Sequence, residues 1–114
     1  MPIPAELKHT VDQEVAAYCE RKIPLRVCGK VRLIHQWRGS RVTLVEQRPK
    51  WNDPAIWVDS PVAQFRYHED QNDWTLYWRD RNQRWHLVEE NPGSRSITRL
   101  LAEVDQDPTG TFWG

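Results

Sequence analysis

Cysteine is scarce: Cys19 and Cys28 are the only two in 114 residues, too few for a disulfide framework. They form no CxxC pair and no histidines or cysteines cluster at zinc-ligand spacing. Both thiols are therefore expected to be free and structural, and no metal or cofactor is implied. No apolar run approaches the roughly 18 residues that a membrane span requires. The opening MPIPAELKHT has neither the basic region nor the apolar core of a signal peptide, so a cytoplasmic location is expected. The chain has no P-loop, dinucleotide fingerprint or nucleophile elbow, and no internal repeat or low-complexity tract. An enzyme is the less favoured class.

What the chain does have is tryptophan, seven of them. A charged fraction of 28% would suit disorder in a chain poor in aromatics. Here each indole can bury a large apolar area, so a few of them close a small core. The length suits one domain over residues 1–114. Charge is present in equal amounts of both signs but is segregated. Residues 21–50 carry nine basic side chains (Arg21, Lys22, Arg26, Lys30, Arg32, Arg38, Arg41, Arg48, Lys50) against one acid, Glu46, while the flanking segments are acidic. Such a block meets phosphate, an acidic partner, or the acidic remainder of its own fold.

Periodicity assigns the elements. In residues 1–24, Leu7, Val11, Val15 and Tyr18 or Cys19 recur at steps of three and four, the stripe of a helix that covers a sheet. Residues 29–90 read as antiparallel strands. Around Gly39-Ser40, a type II′ hairpin pairs Arg38 with Arg41, Trp37 with Val42, His35 with Leu44 and Leu33 with Glu46, with Val31, Leu33, His35, Trp37, Val42 and Leu44 inward. "RPKWNDPAIWVDSP" has three prolines and no clean period, and is expected to be a long connection anchored by Trp51 and Trp57. A turn at Asp70-Gln71 pairs Tyr67 with Trp74, Phe65 with Leu76 and Ala63 with Trp78. A further turn at Arg81-Asn82 is expected to pair Arg79 with Arg84, Trp78 with Trp85 and Leu76 with Leu87. These registers place Trp74, Leu76, Trp78, Trp85 and Leu87 on the core face. Residues 94–107 form a second helix with Ile97, Leu100, Leu101 and Val104 as its stripe, begun at Ser94 or Ser96 and stopped by Asp107-Pro108 and Gly110. The tail, 108–114, is expected to dock through Phe112 and Trp113, on the domain or on a neighbouring subunit. The expected fold is α+β: a meander sheet of about five mostly antiparallel strands, with an N-terminal and a C-terminal helix on one face.

The combination of "LVEQRPKW", "VAQFRY", "WTLYWRDRNQRWH" and the terminal "DPTGTFWG" resembles a family of short bacterial proteins defined as a domain of unknown function. The resemblance covers residues 31–114. It implies a bacterial cytosolic protein and a real domain, and transfers no activity, cofactor or catalytic residue.

Three constellations are candidates for chemistry. Glu46 and Arg48 stand two apart in a strand and point the same way, as a structural ion pair or as a carboxylate–guanidinium site. The outward face of the later strands gathers Gln64, Arg66, His68, Thr75, Tyr77, Arg79, Arg84 and His86, a solvated face or a surface that grips phosphate and stacks on bases. Arg32, Arg38 and Arg41 stand on or near one hairpin, and arginine suits planar bidentate contacts. The binding set read from the sequence is Arg32, Arg38, Arg41, Glu46, Arg48, Arg66, His68, Tyr77, Arg79, Arg84 and His86, with no catalytic and no metal residue. The expected function is a non-enzymatic binding module for nucleic acid or another polyanion. Its alternatives are a structural or homo-oligomeric protein and, less favoured, a small hydrolase using Glu46, His35 or His86.

Overall fold

A computed structural model of the chain describes residues 3–23, 29–89 and 93–113. Cys28, Pro24 and Arg26 lie outside the described residues. The first helix, α1 (Ala5–Lys22), buries Val11, Val15, Tyr18 and Cys19. It starts after Pro4 and carries Glu6 in its first turn and Arg21 and Lys22 in its last, each charge opposing the helix dipole. Leu7 packs at the margin of the core. Burial pushes the Cys19 thiol up to about 11, so it stays protonated and inert at neutral pH.

Five strands follow in chain order: β1 (Arg32–Arg38), β2 (Arg41–Lys50), β3 (Asp53–His68), β4 (Asp73–Arg79) and β5 (Trp85–Leu87). They form one antiparallel meander, β1-β2-β3-β4-β5. Gly39 has φ +60° while Ser40 does not, as a type II′ turn requires, and the β1/β2 register is the expected one. So is the β3/β4 register. Leu33, Val42, Leu44, Ala63, Phe65, Tyr67, Trp74 and Leu76 are buried on one face, the face predicted from alternation. A register shift between Leu44 and Val45 leaves Val62 as the extra residue of β3, and such a bulge bends the strand.

Two expectations are corrected. The segment 49–61 is no free connection: Lys50 pairs with Asp53, Pro49 with Trp57, Arg48 with Val58 and Gln47 with Asp59. It is a hairpin arm that prolongs β2 and β3 past their neighbours. Its prolines spoil the alternation signal, yet tolerate an edge position because no partner asks for their missing N–H. The second correction is a one-residue slip in the last hairpin. Trp78 pairs with His86, Arg79 with Trp85 and Tyr77 with Leu87. The loop has three residues, because the Asp80 amide donates to Arg84 O at 2.9 Å and Gln83 adopts φ +66°; a three-residue loop closes with one residue in the left-handed region. The Asp80 carboxylate accepts from the amides of Asn82 (2.8 Å) and Arg84 (3.0 Å) through Oδ1. One residue more in the loop than the expected two flips the strand. Trp85 and Leu87 therefore face outward, and Val88, buried, donates its amide to Leu76 O.

The second helix, α2 (Ile97–Gln106), buries Ile97, Leu100, Leu101 and Val104. Ser96 takes the N-cap position without a side-chain capping bond. Asp107 ends the helix in the left-handed region, and its carboxylate accepts from the amides of Phe112 and Trp113. The Trp113 indole donates to Val104 O at 2.9 Å, so the tail docks on its own domain. Tyr18 and Lys22 of α1 both donate to Asp105 of α2, which ties the two helices together. At the other end Asp12 of α1 accepts from His35 Nε2 (2.7 Å) and Trp37 Nε1 (2.9 Å) of β1. No helix among the described residues is long and apolar enough to cross a membrane.

The donors from His35 and then Trp37 hold the Asp12 carboxyl below its ordinary value of 3.8. A carboxyl depressed in the folded state stabilises above its unfolded pKa and loses that contribution as pH falls through its folded value. Thermal melts should therefore show Asp12→Asn less stable than wild type at pH 7, with the difference shrinking below about pH 4. For the last hairpin, Asp80→Ala should speed amide exchange in Trp85–Leu87 while leaving the β2/β3 amides unchanged, as read by hydrogen–deuterium exchange.

Candidate nucleic-acid interface

Both helices lie on the apolar side of the sheet, which leaves the opposite side open. Alternation puts Arg38, Arg41 and Arg66 on that side, in one row across three adjacent strands: Arg38 pairs with Arg41, and Arg41 with Arg66. Adjacent strands lie about 4.8 Å apart, so three guanidinium stems share a band about 10 Å wide. Like charges placed directly opposite destabilise a sheet pair. Among the described residues no carboxylate oxygen lies within 4.0 Å of any of the three guanidiniums. Burial first, and then the Arg41 charge, lower the pKa of Arg66 from its ordinary 12.5. The guanidinium still remains charged at neutral pH.

Arg66 is held by a polar relay. Thr43 Oγ1 accepts from Gln64 Nε2 at 3.0 Å, and Gln64 Oε1 accepts from Arg66 Nε at 2.7 Å. Gln64 is the one buried polar side chain among the described residues, and its amide has partners at both ends. The bond through Nε leaves both terminal nitrogens of Arg66 without a carboxylate. It also sets the guanidinium 3.8 Å above the Tyr77 ring. The same arrangement recurs twice on this side: Arg32 lies 3.7 Å above Trp57, and Arg79 lies 5.5 Å from Trp85. An arginine flat on an aromatic ring is attracted by the ring quadrupole.

The remaining residues of the sequence-derived set are dispersed. His68 Nε2 bonds the Thr75 hydroxyl at 2.8 Å on the open side, near the β3/β4 turn. Arg84 lies exposed in the last loop rather than in a strand. His86, displaced by the register slip, is not the neighbour of Tyr77: it stacks on Trp78 at 4.6 Å and bonds Asp80 Oδ2 at 2.6 Å. The Arg84 amide, and after it His86, hold the Asp80 carboxyl below its ordinary value. Glu46 and Arg48 form an ion pair at 2.7 Å on the opposite side of the sheet, and Glu46 raises the Arg48 pKa. His35 and His86 sit on the two edge strands, four strand spacings or about 19 Å apart, and Glu46 has its own partner. These three groups do not converge on one site. Among the described residues no group of His, Cys, Asp and Glu side chains is placed to hold a metal ion.

Sequence reasoning missed Trp57 and Trp85 as members of the open face. The arm hid the first within an aperiodic stretch, and the loop length hid the second. Lys30 and Lys50, the other cations of the basic block near this sheet, are exposed. A groove of 340 Å³ between α1 and α2 is lined by Tyr18, Lys22, Leu101 and Asp105 among others, and its central polar atoms already bond one another.

No curated protein and no solved structure matches this chain. One family model does, over residues 3–114, so the match takes in α1 as well as the sheet and tail motifs. The chain belongs to the DUF3024 family, a domain of unknown function.

Proposed function

We propose that this protein is a non-enzymatic, cytoplasmic binding module that takes single-stranded nucleic acid on the open side of its sheet. One observation carries the reading: the Arg38–Arg41–Arg66 row, three like charges set side by side with no carboxylate among the described residues within 4.0 Å of them. A fold has no structural use for that repulsion, whereas a phosphate chain relieves it. Phosphates supply affinity, and released counterions make it salt-dependent. The three arginine–aromatic stacks favour a single strand over a duplex, since unpaired bases expose the π-faces that stack on guanidinium planes and rings. Recognition of this type tolerates many sequences, and Tyr77 with Arg66 stands nearest the row.

A labelled single-stranded oligonucleotide of about 20 nucleotides, titrated by fluorescence anisotropy at increasing salt, tests this. Each phosphate contact on a single strand contributes about −0.7 to the slope of log K against log salt, so three arginines give about −2. Arg41→Ala combined with Arg66→Ala should flatten the slope by about 1.4 and weaken binding at every salt concentration. Arg41→Ala alone should hold or raise the melting temperature, because it removes a repulsion; adding Arg66→Ala should lower it somewhat, because the buried Gln64 carbonyl loses its donor. Absence of binding to both DNA and RNA single strands at low ionic strength would sink the proposal.

A further inference from the structure

β1 ends its pairing with β2 at Arg32–Gln47, and β4 ends its pairing with β3 at Ala63–Trp78. From residue 48 to residue 61 the two strands of the arm therefore pair only with each other. Residues 51–56 and 58–60 are all exposed, Trp51 by 90%, Ile56 by 49% and Val58 by 46%. Three of the four exposed large hydrophobic side chains among the described residues thus lie on this one hairpin. A two-stranded ribbon in water is marginal by itself, and clustered exposed apolar side chains mark interaction surfaces.

The charges of the arm select the occupant. Between residues 48 and 60 the β2 strand carries Arg48 and Lys50, and the β3 strand carries Asp53 and Asp59. The net charge is zero, so a phosphate chain gains nothing here. The two signs are nonetheless sorted by strand. Asp59 pairs with Gln47 and points to the face opposite Val58. Stacking two such ribbons through the Val58 face, about a two-fold axis that runs along them, lays Lys50 of each copy over the β3 strand of the other, where Asp53 is the acid. Arg48 is already paired with Glu46, which leaves Lys50 as the free cation of its strand among the described residues. Pro49, Pro54 and Pro61 lack N–H donors, which disfavours extending the sheet edge to edge and leaves the faces as the contact.

We propose that the β2–β3 arm is a self-association surface, and that two copies of this chain pack arm against arm through Trp51, Ile56 and Val58, with Lys50 of each copy opposite the acidic strand of the other. The arm supplies fewer residues than the 20–30 per side of a standard stable interface, so the dimer forms at micromolar or higher concentration. Arg41 and Lys50 lie nine residues apart along β2, about 30 Å. Trp57 of the arm, under Arg32, belongs to the open face, but the arginine row and the Lys50 contact stand at opposite ends of β2 and can be altered separately.

Sedimentation velocity of the full chain from about 5 to 500 µM tests the dimer without nucleic acid present. Wild type should show a concentration-dependent monomer–dimer equilibrium. Trp51→Ser should be monomeric over the range with an unchanged melting temperature, because the side chain it removes is in water. Lys50→Glu and Asp53→Lys should each be monomeric; mixing the two variants should restore a dimer, since both charge contacts are then attractive. A wild type that stays monomeric, a dimer indifferent to Trp51→Ser, or a mixture that fails to associate overturns the proposal. So does a Trp51→Ser protein whose mass is unchanged but whose affinity for the single strand falls at least fivefold, since the arm would then serve the nucleic acid. Loss of oligonucleotide binding in the Arg41/Arg66 variant leaves sedimentation untouched, which separates the two readings.

Discussion

The indole of Trp74 is 1% exposed and sits where several segments meet. It packs edge-on against Trp37 at 6.2 Å and tilted against Tyr67 at 5.1 Å, which joins β4 to β1 and β3 through their apolar face. Its backbone pairs with Ser94 in both directions, at 2.7 and 2.9 Å, and so holds the start of α2 against the sheet. Gly93 lies close enough that a Cβ there would meet Trp74 O at 3.2 Å, so the chain passes this point with little room for a side chain. Burying an aromatic of this size contributes several kcal/mol, about 3–5 by the cost of truncating one. Two aromatic partners fix its orientation as well as its depth.

Placing the aromatic weight on one side has an electrostatic result on the other. Both helices are drawn to the apolar face: α1 through Val11 and Val15 and the Asp12 fork, and α2 through Leu100 and Val104. Neither helix covers the second face, where the strands of the basic segment deliver Arg32, Arg38 and Arg41. The acidic residues that balance the chain's charge are spent elsewhere: Asp105 on Lys22 and Tyr18, Asp80 on its own loop and His86, Asp107 on the tail amides. Zero net charge thus coexists with an uncompensated arginine row.

Most of the fold was legible because it rests on alternation and turn chemistry. Gly39 in a two-residue loop fixed one register, and the match of Phe65, Tyr67, Trp74 and Leu76 fixed another. The last hairpin was misread because Trp85 and Leu87 looked like core residues, whereas the Asp80 amide and carboxylate bonds set the loop at three residues. Hydrophobicity pointed one way and loop geometry the other, and geometry prevailed because β5 is only three residues long and has few contacts to lose. The arm was illegible for a different reason: with both faces in water it has no alternation to display. The arginines of the candidate site were readable as a set, yet their alignment needed the β2/β3 register, which depends on the bulge at Val62.

The prolines of the arm have a consequence for the chain before and after folding. A long, wet, two-stranded ribbon with Trp51, Ile56 and Val58 on it is the form that seeds cross-β stacking when identical segments meet. Pro49, Pro54 and Pro61 divide it so that the longest proline-free stretch runs from Ala55 to Ser60, and that stretch contains Asp59. Stacking it in register would bring Asp59 carboxylates together every 4.8 Å or so, with repulsion growing at each added layer. The arm's own charge thus opposes in-register stacking of the apolar side chains it exposes.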